Sequence, residues 1–186
     1  GMSEVWHTYH SQLEVLRADV VRLGLLATDA ITAGTEGLLG ADLAGAERVI
    51  HADATIDDLT RSLEERCYLT LARQQPMASD LRMVVAVLRT IHEIERTGDL
   101  MVNVAKTTRR LYPVELAEPI RRIIDQMGHQ AGVQMRLAIE AFAESDCVRA
   151  LALEDMDDAM DDLQRELFRT IFAMGRADEA GLQQMI

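Results

Sequence analysis

The chain has 186 residues, 19 basic against 31 acidic side chains for a formal charge of −12, 48% apolar residues and 4% aromatics. That length suits one ordinary domain or two small ones with a real core. The acidic balance argues against a binder of nucleic acid or anionic membrane, which needs positive potential at the contact, and favours cationic partners and metal ions.

Cys67 and Cys147 build no disulfide framework, and neither belongs to a CxxC pair, so a reducing, cytoplasmic setting is expected. The longest apolar run, Met83 to Leu88, is six residues, where a bilayer span takes about 20. The N-terminal stretch holds no secretory apolar segment, and Gly1 ahead of Met2 reads as a protease scar outside the fold.

Apolar residues recur at helical spacing almost throughout and β-branched alternation is absent, which predicts an all-α chain. The first helix is predicted from about Val5 to Leu38, with Leu13, Leu16, Val20, Leu23, Ala27 and Ile31 on one face and Gly37 and Gly40 at its end. Asp42 opens a second helix that carries Ala46, Val49, Ile56, Leu63 and Cys67 to about Gln74. Pro76 ends it and starts a third, to Leu111, because proline lacks an N–H yet fits a first helical turn. Pro113 and Pro119 bracket a connector, Tyr112 to Glu118. A fourth helix then runs to about Glu144, a fifth from Ser145 or Asp146 to about Gly175, and a last segment begins at Asp178. Helices this long with short connections imply an elongated bundle.

The sequence also repeats. Shifted by 146 − 42 = 104 residues, Asp42, Ala46, Asp53, Asp57, Asp58, Leu59, Arg61 and Leu63 fall on Asp146, Ala150, Asp157, Asp161, Asp162, Leu163, Arg165 and Leu167, eight identities in 22 positions. The same shift carries Leu23-Gly24 onto Met127-Gly128, and Leu16 and Val20 onto Ile120 and Ile124. The first two helices therefore recur as the fourth and fifth. The expected organisation is two tandem three-helix bundle repeats, 1–112 and 113–186, the second cut off in or before its third helix.

Two helices place acids where core residues belong. On the third, Val84, Leu88 and Val102 project within about 20° of Glu95, and Ile91, Leu81 and Asp99 within about 40°, which centres Glu95 on the apolar stripe. On the second, Asp53 lies within about 40° of Ala46, Val49, Cys67 and Asp57. Acids one turn apart repel and are costly to bury unpaired, so each pair needs a compensating cation. Arg61, Arg82, Arg89 and Arg96 are available for a salt-bridge network. The alternative is a metal: Asp53, Asp57, Glu95 and Asp99 offer an all-oxygen shell suited to iron, manganese or magnesium, with zinc also admissible. The DxxxD half of that set recurs as Asp157 and Asp161.

These residues carry a family resemblance. Gln75-Pro76-Met77-Ala78-Ser79-Asp80-Leu81-Arg82, followed in register by Glu93-Ile94-Glu95-Arg96-Thr97-Gly98-Asp99-Leu100-Met101-Val102-Asn103-Val104-Ala105, resembles the signature of the PhoU family of bacterial phosphate-signalling regulators. The resemblance covers the whole chain and implies two repeats of a three-helix bundle. It implies multinuclear iron or zinc clusters on paired E(D)xxxD motifs: one on Asp53, Asp57, Glu95 and Asp99, a second on Asp157 and Asp161 with acids at positions 199 and 203, beyond this chain. It further implies a non-enzymatic negative regulator of the phosphate-starvation response, with the ATPase of the phosphate ABC transporter and the Pho sensor histidine kinase as partners. A homodimer is expected because apolar faces of the fourth and fifth helices would be left open.

Other chemistries find less support. A ferritin-type di-iron oxidase needs a Glu-x-x-His motif on each of two helices, and of His7, His10, His51, His92 and His129 only His7, after Glu4, follows a Glu at that spacing. His92, about 60° from Glu95, is a minor candidate ligand. There is no GxSxG elbow and no phosphate-cradling loop. Cys67 and Cys147 align with Ile171 and Leu43 under the repeat, as packed thiols would. Met127, Met135, Met156 and Met160 sit at core spacing, and Asn103, one turn past Asp99, is placed either to support a metal site or to serve a helix contact. A metal-storage bundle with no signalling partner and a plain salt-bridged scaffold stay open as alternatives.

Overall fold

The computed structural model describes residues 1–73 and 78–144, with 158, 161, 162, 165, 166, 168, 169, 172 and 173 of the segment that follows. Four long helices form the continuous part: α1 Met2–Leu39, α2 Leu43–Arg73, α3 Ala78–Leu111 and α4 Glu118–Ala143. The described residues between 158 and 173 are helical too, and no strand occurs among the described residues. The all-α expectation therefore holds. The junction at Pro76, the start of the predicted fifth helix with Cys147 and Asp157, and the terminal segment from Asp178 lie outside the described residues.

The predicted apolar face of α1 is the centre of the molecule: Leu13, Leu16, Val20, Leu23, Ala27 and Ile31 are all buried. So are Ala46, Val49, Ile56, Leu63 and Cys67 of α2. The α1–α2 turn is tight. The Gly40 amide donates to the Glu36 carbonyl at 2.9 Å, Ala41 adopts φ 50°, and Asp42 Oδ1 accepts from the Gly45 amide at 3.0 Å, which satisfies one free N–H at the start of α2. Across the same pair of helices Arg66 donates to Asp19 at 2.6 Å.

Helices α1, α2 and α3 pack on one another as a three-helix bundle, whereas α4 packs on α1 alone among these four. Pro119 sits in the first turn of α4 after Ala117 in extended conformation. The buried side of α4 holds Gly128, Ala131 and Gly132 between Ile124 and Met135, small residues that let the two backbones approach. A Cβ on Gly24 would lie 2.0 Å from Ile139 Cδ1, and one on Gly128 would lie 2.4 Å from Thr35 Cγ2. These two close approaches exchange under the 104-residue shift (24 + 104 = 128; 35 + 104 = 139), so the repeat read in the sequence reappears as pseudo-twofold packing of antiparallel α1 and α4. None of the helices formed by the described residues is long and apolar enough to cross a membrane.

Candidate metal centre and adjoining groove

Asp53 and Asp57 stand one turn apart on α2, and α3 brings Asp99 opposite them. One carboxylate oxygen from each of the three lies within 4.8 Å of the others. Gly98 permits the approach: a Cβ there would meet Asp53 Oδ1 at 2.7 Å and Ile56 Cγ2 at 3.4 Å. The three aspartates are graded in exposure, Asp53 and Asp57 half-buried and Asp99 exposed.

Their electrostatics are those of unneutralised charge. Burial pushes the Asp53 carboxyl up to about 6, helped by the charges of Asp57, Asp99 and Glu95. Burial and then Asp99 also raise Asp57, against a lowering effect of Arg61. Oδ1 of Asp53 and Oδ1 of Asp57 are buried without hydrogen-bond partners. Among the described residues no guanidinium or ammonium lies in ion-pair range of Asp53, Asp57, Glu95 or Asp99. Arg61 pairs with Asp58 at 3.4 Å, Arg96 with Asp161 at 2.8 Å, and Arg82 and Arg89 are exposed. Two orphaned carboxylate oxygens beside a third carboxylate suit a hard cation, which would supply the charge that no described arginine brings into ion-pair range.

Glu95 departs from the expected arrangement. Buried Val84, Val87, Ile91, Ile94 and Met101 set the middle of the α3 core face about a quarter turn from Glu95, so Glu95 stands at its margin, half-buried. The apolar stripe projected from Val84, Leu88 and Val102 is shifted because α3 must cover both α1 and α2, which widens its buried face toward Val87 and Ile94. Glu95 therefore lies outside the tri-aspartate group and lines an adjoining groove with Thr60, Glu64, Tyr68 and His92. Burial raises its carboxyl, as do the charges of Asp57 and Asp99, while His92 opposes them.

Of the second-repeat pair, Asp161 alone is described, and it is placed differently from Asp57. Asp161, the image of Asp57, is held by Arg96 of α3, and Asp157 is outside the described residues. Cys67 is fully buried, and burial pushes its thiol up to about 11, as a packing residue requires. Asn103 is exposed one turn past Asp99. The line Thr60, Glu64 and Tyr68, which continues Asp53 and Asp57 along α2 at i+3 and i+4 steps, went unread in the sequence. Its helical spacing was the available signal.

The bundle and its paired acids define the class. The PhoU domain family model matches residues 20–108 and 124–185, and the chain belongs to the PhoU family. It is similar to a Mycobacterium tuberculosis protein named phosphate-specific transport system accessory protein PhoU homolog 2, with 37% identity over 164 residues, 88% of this chain and 77% of the relative. A Rhizobium meliloti phosphate-specific transport system accessory protein PhoU homolog is 28% identical over 169 residues, 91% of this chain and 71% of the relative. Among solved structures, the phosphate transport system regulatory protein PhoU from Streptococcus pneumoniae superposes with a TM-score of 0.74 at 25% identity, covering 91% of this chain and 79% of that one. PhoU from Pseudomonas aeruginosa has the same fold, with a TM-score of 0.72 at 21% identity over 89% of this chain and 99% of its own.

Proposed function

We propose that this protein is an accessory regulator of phosphate transport that acts by protein contact rather than by catalysis. The observation that carries the reading is its 37% identity, over 88% of the chain, to a protein named for that role. In this reading it docks on the cytoplasmic ATPase of a phosphate ABC transporter and on a Pho sensor histidine kinase, as a homodimer, and keeps the kinase from activating phosphate-starvation genes. Docking by helix faces needs no membrane segment, and the net charge of −12 complements basic partner surfaces.

Asp53, Asp57 and Asp99 are the proposed metal ligands, with Glu95 beside them as a further charge. Iron, zinc, manganese and magnesium all take carboxylate oxygen, and the orphaned Oδ1 atoms of Asp53 and Asp57 support a cation there. In a strain deleted for the protein, the chain should restore repression of a phosphate-starvation reporter in phosphate-rich medium. Asp53→Asn/Asp57→Asn/Asp99→Asn should lose both bound metal, by elemental analysis, and repression. Full repression by a metal-free variant would remove the acids from the mechanism, and failure of the parent to repress would sink the regulatory reading.

Metal storage without a signalling partner is the second reading, favoured by the three converging carboxylates. Co-purification of the transporter ATPase or the kinase with the tagged protein separates it from the first.

A further inference from the structure

We propose that the groove between α2 and α3 that adjoins the tri-aspartate group takes an arginine side chain of a partner protein. The groove encloses about 220 Å³, less than a drug-sized pocket and suited to one long side chain. Its lining combines apolar Leu88 and buried Ile91, half-buried Glu64 of α2 and Glu95 of α3, and exposed Tyr68 and His92. Arginine has a counterpart for each: methylenes for Leu88 and Ile91, a planar guanidinium for the carboxylates of Glu64 and Glu95, and a face that stacks on an aromatic ring such as that of Tyr68.

Two observations show that this groove is unsatisfied by the described residues. Among the described residues Glu95 is half-buried with no ion pair, while Glu64 accepts a hydrogen bond from Tyr68 Oη at 3.2 Å and makes no ion pair. The second is Thr60. Thr28, Thr97, Thr107 and Thr108 each donate to the carbonyl four residues earlier, the usual way a helical threonine satisfies its hydroxyl. Thr60 is 3% exposed, lines the groove, and leaves its Oγ1 buried without a partner. A buried hydroxyl with no partner costs free energy until a ligand or water supplies one. Two acids, a tyrosine and an orphaned hydroxyl beside apolar Leu88 and Ile91 select a cation with an apolar stem over a bare metal ion, for which Glu64, His92 and Glu95 do not converge as Asp53, Asp57 and Asp99 do.

The inference rests on the partner-docking reading only for the source of the arginine, so the test uses no partner. Acetyl-arginine-amide is titrated into the full chain with EDTA present, and the methyl resonances of Thr60, Leu88 and Ile91 are followed by NMR. Saturable shifts with Kd on the order of 1 mM are expected, absent with the neutral isostere acetyl-citrulline-amide. Glu64→Gln/Glu95→Gln, folded by circular dichroism, should weaken binding at least tenfold. No saturable shift, equal binding of the citrulline amide, or shifts confined to other surfaces would overturn the groove and leave docking elsewhere intact. Zn²⁺ moving the same resonances without EDTA, where the arginine amide moves none, would overturn it in favour of a metal.

Discussion

Arg96 of α3 reaches Asp161 of the second repeat at 2.8 Å, while Glu95, its neighbour in sequence, faces the groove of the first repeat. One turn of α3 thus serves both halves of the molecule. Asp161 is the repeat image of Asp57, and its carboxylate answers to a guanidinium where that of Asp57 faces two other acids. Both partners are half-exposed, so the pair is worth about 0.2–1 kcal/mol. A double-mutant cycle with Arg96→Gln and Asp161→Asn should return a coupling in that range that shrinks with added salt. Coupling near zero at low salt would make the contact incidental.

The tri-aspartate group makes stability depend on pH with a definite sign. Asp53 has its carboxyl raised to about 6 from 3.8, so the folded state binds the proton more tightly than the unfolded one. Its contribution to stability is complete below about pH 4 and is lost as pH rises through about 6. Metal-free protein should therefore melt at higher temperature at pH 5 than at pH 7. Asp53→Asn should raise the melting temperature at pH 7 and flatten the slope. A parent that gains stability from pH 5 to pH 7 in EDTA would contradict the arrangement.

Metal should reverse the sign. An ion bound only by the folded state stabilises it in proportion to its occupancy, by about 2.7 kcal/mol at a hundredfold excess over Kd. The parent should gain melting temperature with added Mn²⁺ or Zn²⁺ at pH 7, whereas Asp53→Asn/Asp57→Asn should gain nothing. Equal gains in both would place the ion elsewhere.

The α1–α4 contact has little room. Ala at 128 would put Cβ 2.4 Å from Thr35 Cγ2 and 3.0 Å from Thr35 Cβ, and overpacking of this kind costs about 1–3 kcal/mol. Gly128→Ala should lower stability in urea by that amount, whereas Ala at the exposed Gln130 should leave it within about 0.5 kcal/mol.

The α1–α2 turn holds Ala41 at φ 50°, where a Cβ crowds the following carbonyl at about 1–2 kcal/mol. Ala41→Gly relieves that strain and loses part of the gain to the freer unfolded chain. A net stabilisation of about 0.5 kcal/mol is expected by urea denaturation. Net destabilisation would show that the Ala41 methyl makes a contact worth more than its strain.

The sequence by itself determined the helices α1 to α4, the faces of α1 and α2 that would be buried, the family, and the 104-residue repeat, because these depend on local periodicity and on motifs read in register. Tertiary packing decided how the acids divide. Helical projection placed Glu95 with the aspartates and at the centre of the stripe, yet which flank of α3 is buried depends on two neighbours at once, and α1 and α2 together turn Glu95 out to the margin. The approach of Asp53 to Gly98, the commitment of Arg96 to Asp161, and the groove that Thr60, Glu64 and Tyr68 of α2 form with Ile91, His92 and Glu95 of α3 join residues on different helices. Such pairings are fixed by crossing geometry and by which side chain is small enough to allow contact, and no spacing along one helix encodes them.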